Sequence, residues 1–366
     1  MNIKFKNIIT VILMCSIILI FGIVLLLGKN KTYSESERRK LESFPEITFE
    51  NIISGNYMTD FEAAITDNFP VRDTFRKVKA YTSKIAFHKL DNNGIYTCDG
   101  HISKLLYPLK FEMLDYSAEK FQNVYNAYFK NTDAKVYFSI VPDKNMFLAN
   151  GHLSIDYQQL FSYMKNKTDY MKYIDITDLL SADDYYKTDT HWKQECITDV
   201  AERIACEMGV NLENDFIENT ASDNFYGVYY GQSAFEFKTD KIKYLTDDVI
   251  EKSIVTIYPN GKPIESKVYD KEKLSGKDSY EFFLSGAQPI VKIENPNCKN
   301  NKKLIIFRDS FASSLTPLLI SGYSNITLVD TRYIDPSYLK SFIDIEADDV
   351  LFIYSTLILN SSLGIR

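Results

Sequence analysis

Residues 302–315 read "KKLIIFRDSFASSL", and the fold turns on how this stretch is read. An apolar strand, "KKLIIF", runs into a sharp junction and then into a helical pattern. Working outward, the same grammar recurs. The strands "NITLVD" and "DDVLFIYST" follow it. Upstream, the helical "SAEKFQNVYNAYFKN" leads into the strand "KVYFSIVPD", whose apolar run ends at Pro142. The helix "DYQQLFSYMKNK" and the short strand "YIDIT" come next. In "KQECITDVAERIACEM", Ile197, Val200, Ala201, Ile204 and Met208 share one helical face. Strands alternating with helices predict an α/β fold with a mainly parallel sheet and helices on both faces.

Residues 222–298 break this alternation. "FYGVYYGQSAFEF", "SIVTIYPNGKPIESKVYD" and "YEFFLSGAQPIVKIEN" are strand-like, with Asn260–Gly261 suited to a hairpin turn. They are expected to form a strand-rich insertion or the edge of the main sheet. Residues 30–95 are expected to be a polar linker and a helical lead. There, "MTDFEAAITDNFPVRDTFRKVKAYTSKIAF" spaces its apolar residues helically on both sides of Pro70. The α/β domain proper then covers 96–366.

At the N-terminus, residues 8–27 read "IITVILMCSIILIFGIVLLL", the length needed to cross a bilayer as a helix. Lys4 and Lys6 precede it, and no small-residue cleavage site follows. Residues 1–29 therefore read as an uncleaved transmembrane anchor, although Lys29, Lys31, Arg38, Arg39 and Lys40 place positive charge after the span. An acidic body behind such an anchor points to export, with residues 30–366 outside the cytoplasmic membrane.

The formal charge of −7 argues against nucleic acid, since no basic stripe offsets the acidic residues. Five cysteines make no framework. Cys196 and Cys206 lie on one expected helix, about 15 Å apart, beyond disulfide reach. Cys98 and Cys298 remain available to pair. None has metal-ligand spacing, and no cofactor is called for.

In open α/β sheets, active sites form beyond the carboxyl ends of the strands. Ser310 stands at such a place, able to present its hydroxyl while its own N–H faces a developing oxyanion. A serine nucleophile needs a base, and the base needs a partner on its other nitrogen. Residues 185–192, "YYKTDTHW", hold one of four histidines beside the only tryptophan. Asp189 and His191, one residue apart in extended chain, point the same way and can form that relay. The plainer readings are Ser310 as a helix N-cap and Asp189 as a cap for a helix starting near Lys193, with His191 packed. His88, His101 and His152 lack an aspartate so placed.

The chain resembles the DHHW family of bacterial envelope proteins and, more distantly, the alginate-acetylation proteins AlgX and AlgJ. The likeness is carried by "SERRKLESFP", "DNFPVRD", "IVPDKN", "TDTHW", "RDSFASSLTPLL" and "VDTRY", in that order. It departs from the family pattern at Thr190, where the name DHHW expects His, and at Arg308, where the SGNH serine block usually has Gly. The resemblance implies an SGNH-hydrolase-like fold in which Asp-x-His precedes the serine. It further implies Ser310 as nucleophile, His191 as general base and Asp189 as its orienting partner. Arg332 is then a candidate for the oxyanion or substrate, or a surface ion pair. Tyr186 and Trp192 are candidates to stack on a sugar, with packing the plainer role for at least one of them, and Lys144 is a further strand-end candidate. Gly286 and Asn360 are candidates for the remaining oxyanion donors.

The expected function is O-acetylation of a cell-surface or secreted polysaccharide through an acyl-serine. The acyl group would be supplied by a multi-pass membrane O-acyltransferase partner. The rivals are a carbohydrate esterase on the same scaffold and a non-catalytic polysaccharide-binding component of an envelope complex.

Overall fold

The computed structural model describes residues 3–27, 31–34, 36–37, 39–213, 215–276 and 278–366. Lys29 and Arg38, two of the charges following the apolar segment, lie outside the described residues. The chain divides into two compact units. One comprises residues 1–93 with the strap 230–236, and the other residues 94–229 with 237–366.

The larger unit is built on an eight-stranded sheet. Its strands are β1 (Lys135–Val141), β2 (Lys172–Ile174), β3 (Ile254–Ile257), β4 (Ile264–Ser266), β5 (Ile290–Glu294), β6 (Lys303–Arg308), β7 (Asn325–Val329) and β8 (Asp349–Ser355). Their spatial order is β4-β3-β5-β7-β6-β8-β1-β2. The run β7-β6-β8-β1-β2 is parallel throughout. The other edge is antiparallel, β5 pairing with β7 and β3, and β3 with β4.

The central strands are continuous apolar runs because both faces are covered. In β6, Leu304 and Ile306 enter one core with Val200, Ala201 and Ile204 of the helix Thr198–Glu207. Ile305 and Phe307 enter the other, with Leu114, Phe121 and Val124 of the helix Phe111–Tyr128 and Leu160 and Met164 of the helix Tyr157–Lys167. In β8, Leu351 and Ile353 join the first core, and Val350, Phe352 and Tyr354 the second. A two-residue period splits each strand between two helical layers.

Residues 222–298, expected as a strand-rich insertion or as the sheet edge, divide between these roles except over "FYGVYYGQSAFEF". That stretch, expected to be strand-like, instead holds the helix Val228–Ser233. β3, β4 and β5 extend the main sheet, with the Asn260–Gly261 pair in the loop joining β3 to β4. The strands Ile217–Phe225 and Asp240–Thr246 form a separate antiparallel ribbon.

The smaller unit holds the apolar helix Ile3–Leu27 and the helices Phe49–Ile53, Asn56–Asn68 and Arg72–Ile85. The segment Ile3–Leu25 is long and apolar enough to cross a membrane. Phe69, before Pro70, is extended and ends the helix Asn56–Asn68. Arg39 grips the buried Asp67 through both nitrogens at 2.5 and 2.8 Å, while Arg72 and Arg76 close on Glu37.

Candidate active site

The site grows from the carboxyl end of β6. After Arg308 the chain turns at Asp309, whose buried carboxylate accepts the N–H of Phe311 at 3.0 Å and of Ser355 at 2.7 Å. One side chain thus ties the end of β6 to the end of β8 and fixes the turn that carries Ser310. The short helix Ala312–Leu315 starts from Phe311 without a side-chain cap, so Ser310 is not an N-cap. Its Oγ lies 2.8 Å from His191 Nε2. Arg308, where a glycine is usual in the resembling block, is fully buried. It donates to Ser313 Oγ at 2.7 Å and to the Gly286 carbonyl at 3.3 Å. Its side chain is therefore committed elsewhere, and Ser310 Oγ is left to the histidine. Burial lowers the guanidinium's pKa.

His191 Nδ1 lies 2.6 Å from Asp189 Oδ1. A carboxylate only accepts, so Nδ1 carries the proton and Nε2 presents its lone pair to the Ser310 hydroxyl. Asp189 is held in turn. Its Oδ1 accepts the His191 N–H at 3.1 Å and its Oδ2 the Val228 N–H at 2.8 Å. It therefore serves the 189–191 turn and not a helix near Lys193. Thr188 next door is clamped by Asp240, which accepts its N–H at 2.8 Å and its hydroxyl at 2.5 Å. The approach of residue 228 depends on Gly227, where a Cβ would stand 2.3 Å from the Thr188 carbonyl carbon and 2.4 Å from Asp189 Cα.

The imidazole is sandwiched. Tyr280 stacks on it at 3.7 Å between centroids and 6° between planes, and Phe311 lies against it at 4.9 Å. The Tyr280 hydroxyl pairs with Ser314 Oγ at 2.8 Å, and burial raises its pKa, keeping it a phenol. His191 is 7% exposed and Ser310 half-buried, so the hydroxyl side of the pair is the side open to a substrate.

Three sequence candidates are corrected by their burial. Trp192 is fully buried, its Nε1 donating to the Phe311 carbonyl at 3.1 Å and to Ser314 Oγ at 3.0 Å. It braces the serine loop from beneath and is not a stacking platform. Tyr186 is likewise fully buried, edge-on to Phe225. Lys144 is 1% exposed, and its Nζ donates to the carbonyls of Ile102, Tyr186 and Lys187 at 2.6, 2.8 and 3.3 Å. It organises backbone and does not meet substrate.

Arg332 grips the buried Asp330 through Nε at 2.9 Å and Nη2 at 2.6 Å, the ion-pair alternative. Gly286 and Asn360 are not free donors. The Gly286 N–H goes to the Phe283 carbonyl at 3.1 Å, and Asn360 straps Lys110 N–H and the Pro108 carbonyl. The backbone N–H of Ser310 donates to no protein acceptor among the described residues.

His152 stacks on Tyr96 at 3.9 Å, His101 is buried with Asp183 3.7 Å away, and His88 is exposed. All five cysteines are free, Cys98 and Cys298 included. No group of three His, Cys, Asp or Glu among the described residues is arranged to hold a metal. Tyr280, Val228 and Asp240, which support the relay, have no motif of their own. Gly227, set among aromatics in "FYGVYY", was the one visible signal.

No family model and no curated protein matches the chain. Solved structures do match. A DHHW family protein from Eubacterium siraeum aligns with a TM-score of 0.64 and 22% identity, over 75% of this chain and 95% of that one. Bacillus cereus PatB1 with a sulfonyl adduct aligns with a TM-score of 0.60 and 19% identity, over 72% of this chain and 95% of that one. The O-acetyltransferase domain of Pseudomonas putida AlgJ aligns at 0.44 and 12%, over 73% and 92%, a likeness that carries no argument. At these identities the likeness establishes the fold. The chain shares its α/β architecture, a mainly parallel sheet between two helical layers, with a DHHW family protein and PatB1.

Proposed function

We propose that this protein is a serine-dependent O-acyltransferase. In this reading it is held to the outer face of the membrane by its N-terminal helix and places acetyl groups on a cell-surface or secreted polysaccharide. The observation that carries the reading is the relay from Ser310 Oγ through His191 to Asp189, at 2.8 and 2.6 Å, at the carboxyl end of β6. In the first half-reaction, His191 Nε2 takes the Ser310 proton as Oγ attacks the acyl carbonyl carbon. The donor oxygen leaves with the proton from Nε2, giving an acyl-Ser310. In the second, Nε2 takes the proton of a sugar hydroxyl, whose oxygen attacks the acyl carbon and releases Ser310 Oγ, which regains that proton. Asp189 keeps the imidazole in one tautomer and steadies the imidazolium between the two transfers. The N–H of Ser310 is the donor offered to the tetrahedral oxyanion. The acetyl group must reach the outer face, so the proposal includes a multi-pass membrane acyltransferase as donor partner.

PatB1 has been solved with a sulfonyl adduct, and a sulfonyl fluoride is the direct probe here. The full chain, as wild type and as Ser310→Ala, is treated with phenylmethylsulfonyl fluoride and with a chromogenic acetyl ester, and read by intact mass and ester cleavage. Wild type is expected to gain one sulfonyl or acetyl group at Ser310 and to cleave the ester, while Ser310→Ala does neither. Adding oligosaccharide acceptors then separates transfer from hydrolysis, because acetylated sugar forms only in transfer. Equal behaviour of the two proteins, with no adduct on either, would overturn the reading.

A further inference from the structure

The helix Arg72–Ile85 of the smaller unit is turned inside out by the standards of a helix in water. Its inward face carries Ala80, fully buried, with Arg72 and Arg76 closed on Glu37 and Asp67. Its outward face carries Phe75, Val78 and Ile85, at spacings of three and seven residues, exposed by 49, 57 and 67%, and Val71, the left-handed residue just before the helix, is 63% exposed. Side chains at those spacings lie in one stripe. Phe87 beyond the helix end is 69% exposed. The helix carries five basic residues and one acidic, "RDTFRKVKAYTSKI", in a chain whose net charge is −7.

The stripe is also continuous with the apolar helix Ile3–Leu27. Phe75 packs on Phe21 at 6.0 Å between centroids, and Phe69 stacks on Phe21 at 5.2 Å. Phe21 lies about 9 Å from the end of that helix, at 1.5 Å per residue. The stripe therefore stands level with the last turns of a segment long enough to span a bilayer.

We infer that the helix Arg72–Ile85 lies in the surface of an anionic bilayer, with Val71, Phe75, Val78 and Ile85 buried among the upper acyl chains. Lys79 and Lys84 flank the stripe and bring their aliphatic stems to headgroup level. Lys79 Nζ rests on Asn93 Oδ1 at 3.0 Å and Lys84 Nζ over the Phe235 ring at 5.0 Å, while Lys77 is paired with Glu236 at 3.0 Å. An apolar face with basic flanks is the pattern of an interfacial helix, seated roughly 5–10 Å into the boundary. Anionic lipid is the matching occupant because, with Arg72 and Arg76 closed on Glu37 and Lys77 on Glu236, Lys79 and Lys84 still leave this helix positive while the chain as a whole is acidic. The inference goes beyond the acyltransfer reading and does not depend on it.

The test uses the full chain in phosphatidylcholine–phosphatidylglycerol vesicles containing lipid brominated in the upper acyl chains. Phe75→Trp and Val78→Trp each add emission to that of the native Trp192. Leu13→Trp reports on the anchoring helix separately. The expected result is that the added emission is blue-shifted and mostly quenched by brominated lipid, for both substitutions, and less so when phosphatidylglycerol is omitted. Emission from both positions that brominated lipid leaves unquenched would overturn the inference, whether or not Leu13→Trp is quenched. A blue-shifted but unquenched signal would do the same, since it means that protein covers the face. Two positions are used so that one misfolded variant does not decide the matter.

Discussion

The Asp189 carboxylate accepts three N–H groups, from the His191 backbone, the His191 ring and Val228. Two of those bonds fix the carboxylate, and the third fixes the imidazole tautomer. Asp189→Asn keeps the shape but offers one oxygen and an NH2 where two oxygens stood. The amide can donate to Nδ1, which moves the ring proton to Nε2 and removes the base from Ser310. Under the proposed mechanism, ester cleavage is expected to fall by roughly 10^4-fold, with the fold retained. Steady-state rates across pH, alongside thermal melts, check this, and an unchanged kcat would count against the tautomer argument. Trp192 and Lys144 show the other side of residue-level reading. Both sit beside motif positions, and both turn out to be buried structure, because neighbours far away in the chain cover them.

Among the elements, β6 has the largest role, since it carries Ser310 and contributes to both cores. Ile306 is fully buried between the sheet and the Thr198–Glu207 layer. Ile306→Ala is expected to cost about 2–5 kcal/mol, from lost transfer energy and the cavity left behind. The urea midpoint, followed by Trp192 emission, measures this, and a shift under about 0.5 kcal/mol would mean that β6 is not the packing centre described. The apolar runs of β6, β8 and β1 were legible in sequence because a strand covered on both faces needs no polar residue along its length. The antiparallel edge was only half legible. β3, β4 and β5 have the residues of strands, but nothing local distinguishes joining the main sheet from forming a ribbon apart. The segments Ile217–Phe225 and Asp240–Thr246 took the second course.

Across the larger unit, Lys144 joins separate parts of the chain: the end of β1, the strand His101–Lys104 and the turn before Asp189. Burial lowers its pKa from 10.5 to about 7, outweighing the favourable fields of Asp189, Asp240 and Asp143. The native state therefore releases this proton at lower pH than the unfolded chain does. The penalty of burying the charge weighs in full below about pH 7 and is relieved as pH rises towards 10.5. Stability from this group thus increases with pH in that window, with a slope approaching ~1.4 kcal/mol per pH unit. Lys144→Met has no proton to release, so the stability difference between wild type and variant is expected to widen in favour of wild type from pH 7 to 9. Urea titrations of both proteins at pH 6.5, 8 and 9 test this, and a constant difference would place the lysine's titration elsewhere.

The sequence by itself determined the layer pattern, the apolar N-terminal helix and the Asp-x-His frame. These depend on side-chain period, segment length and neighbours one or two residues apart, all of which are local properties. Only the tertiary structure decided that Ser310 meets His191 from 119 residues away, and that Tyr280 and Val228 hold the relay in place. It likewise decided that Tyr186, Trp192 and Lys144 lie inside, and that Arg332 faces Asp330. Those facts depend on which distant segments are brought against each side chain, and burial is a property of that packing and not of the residue type.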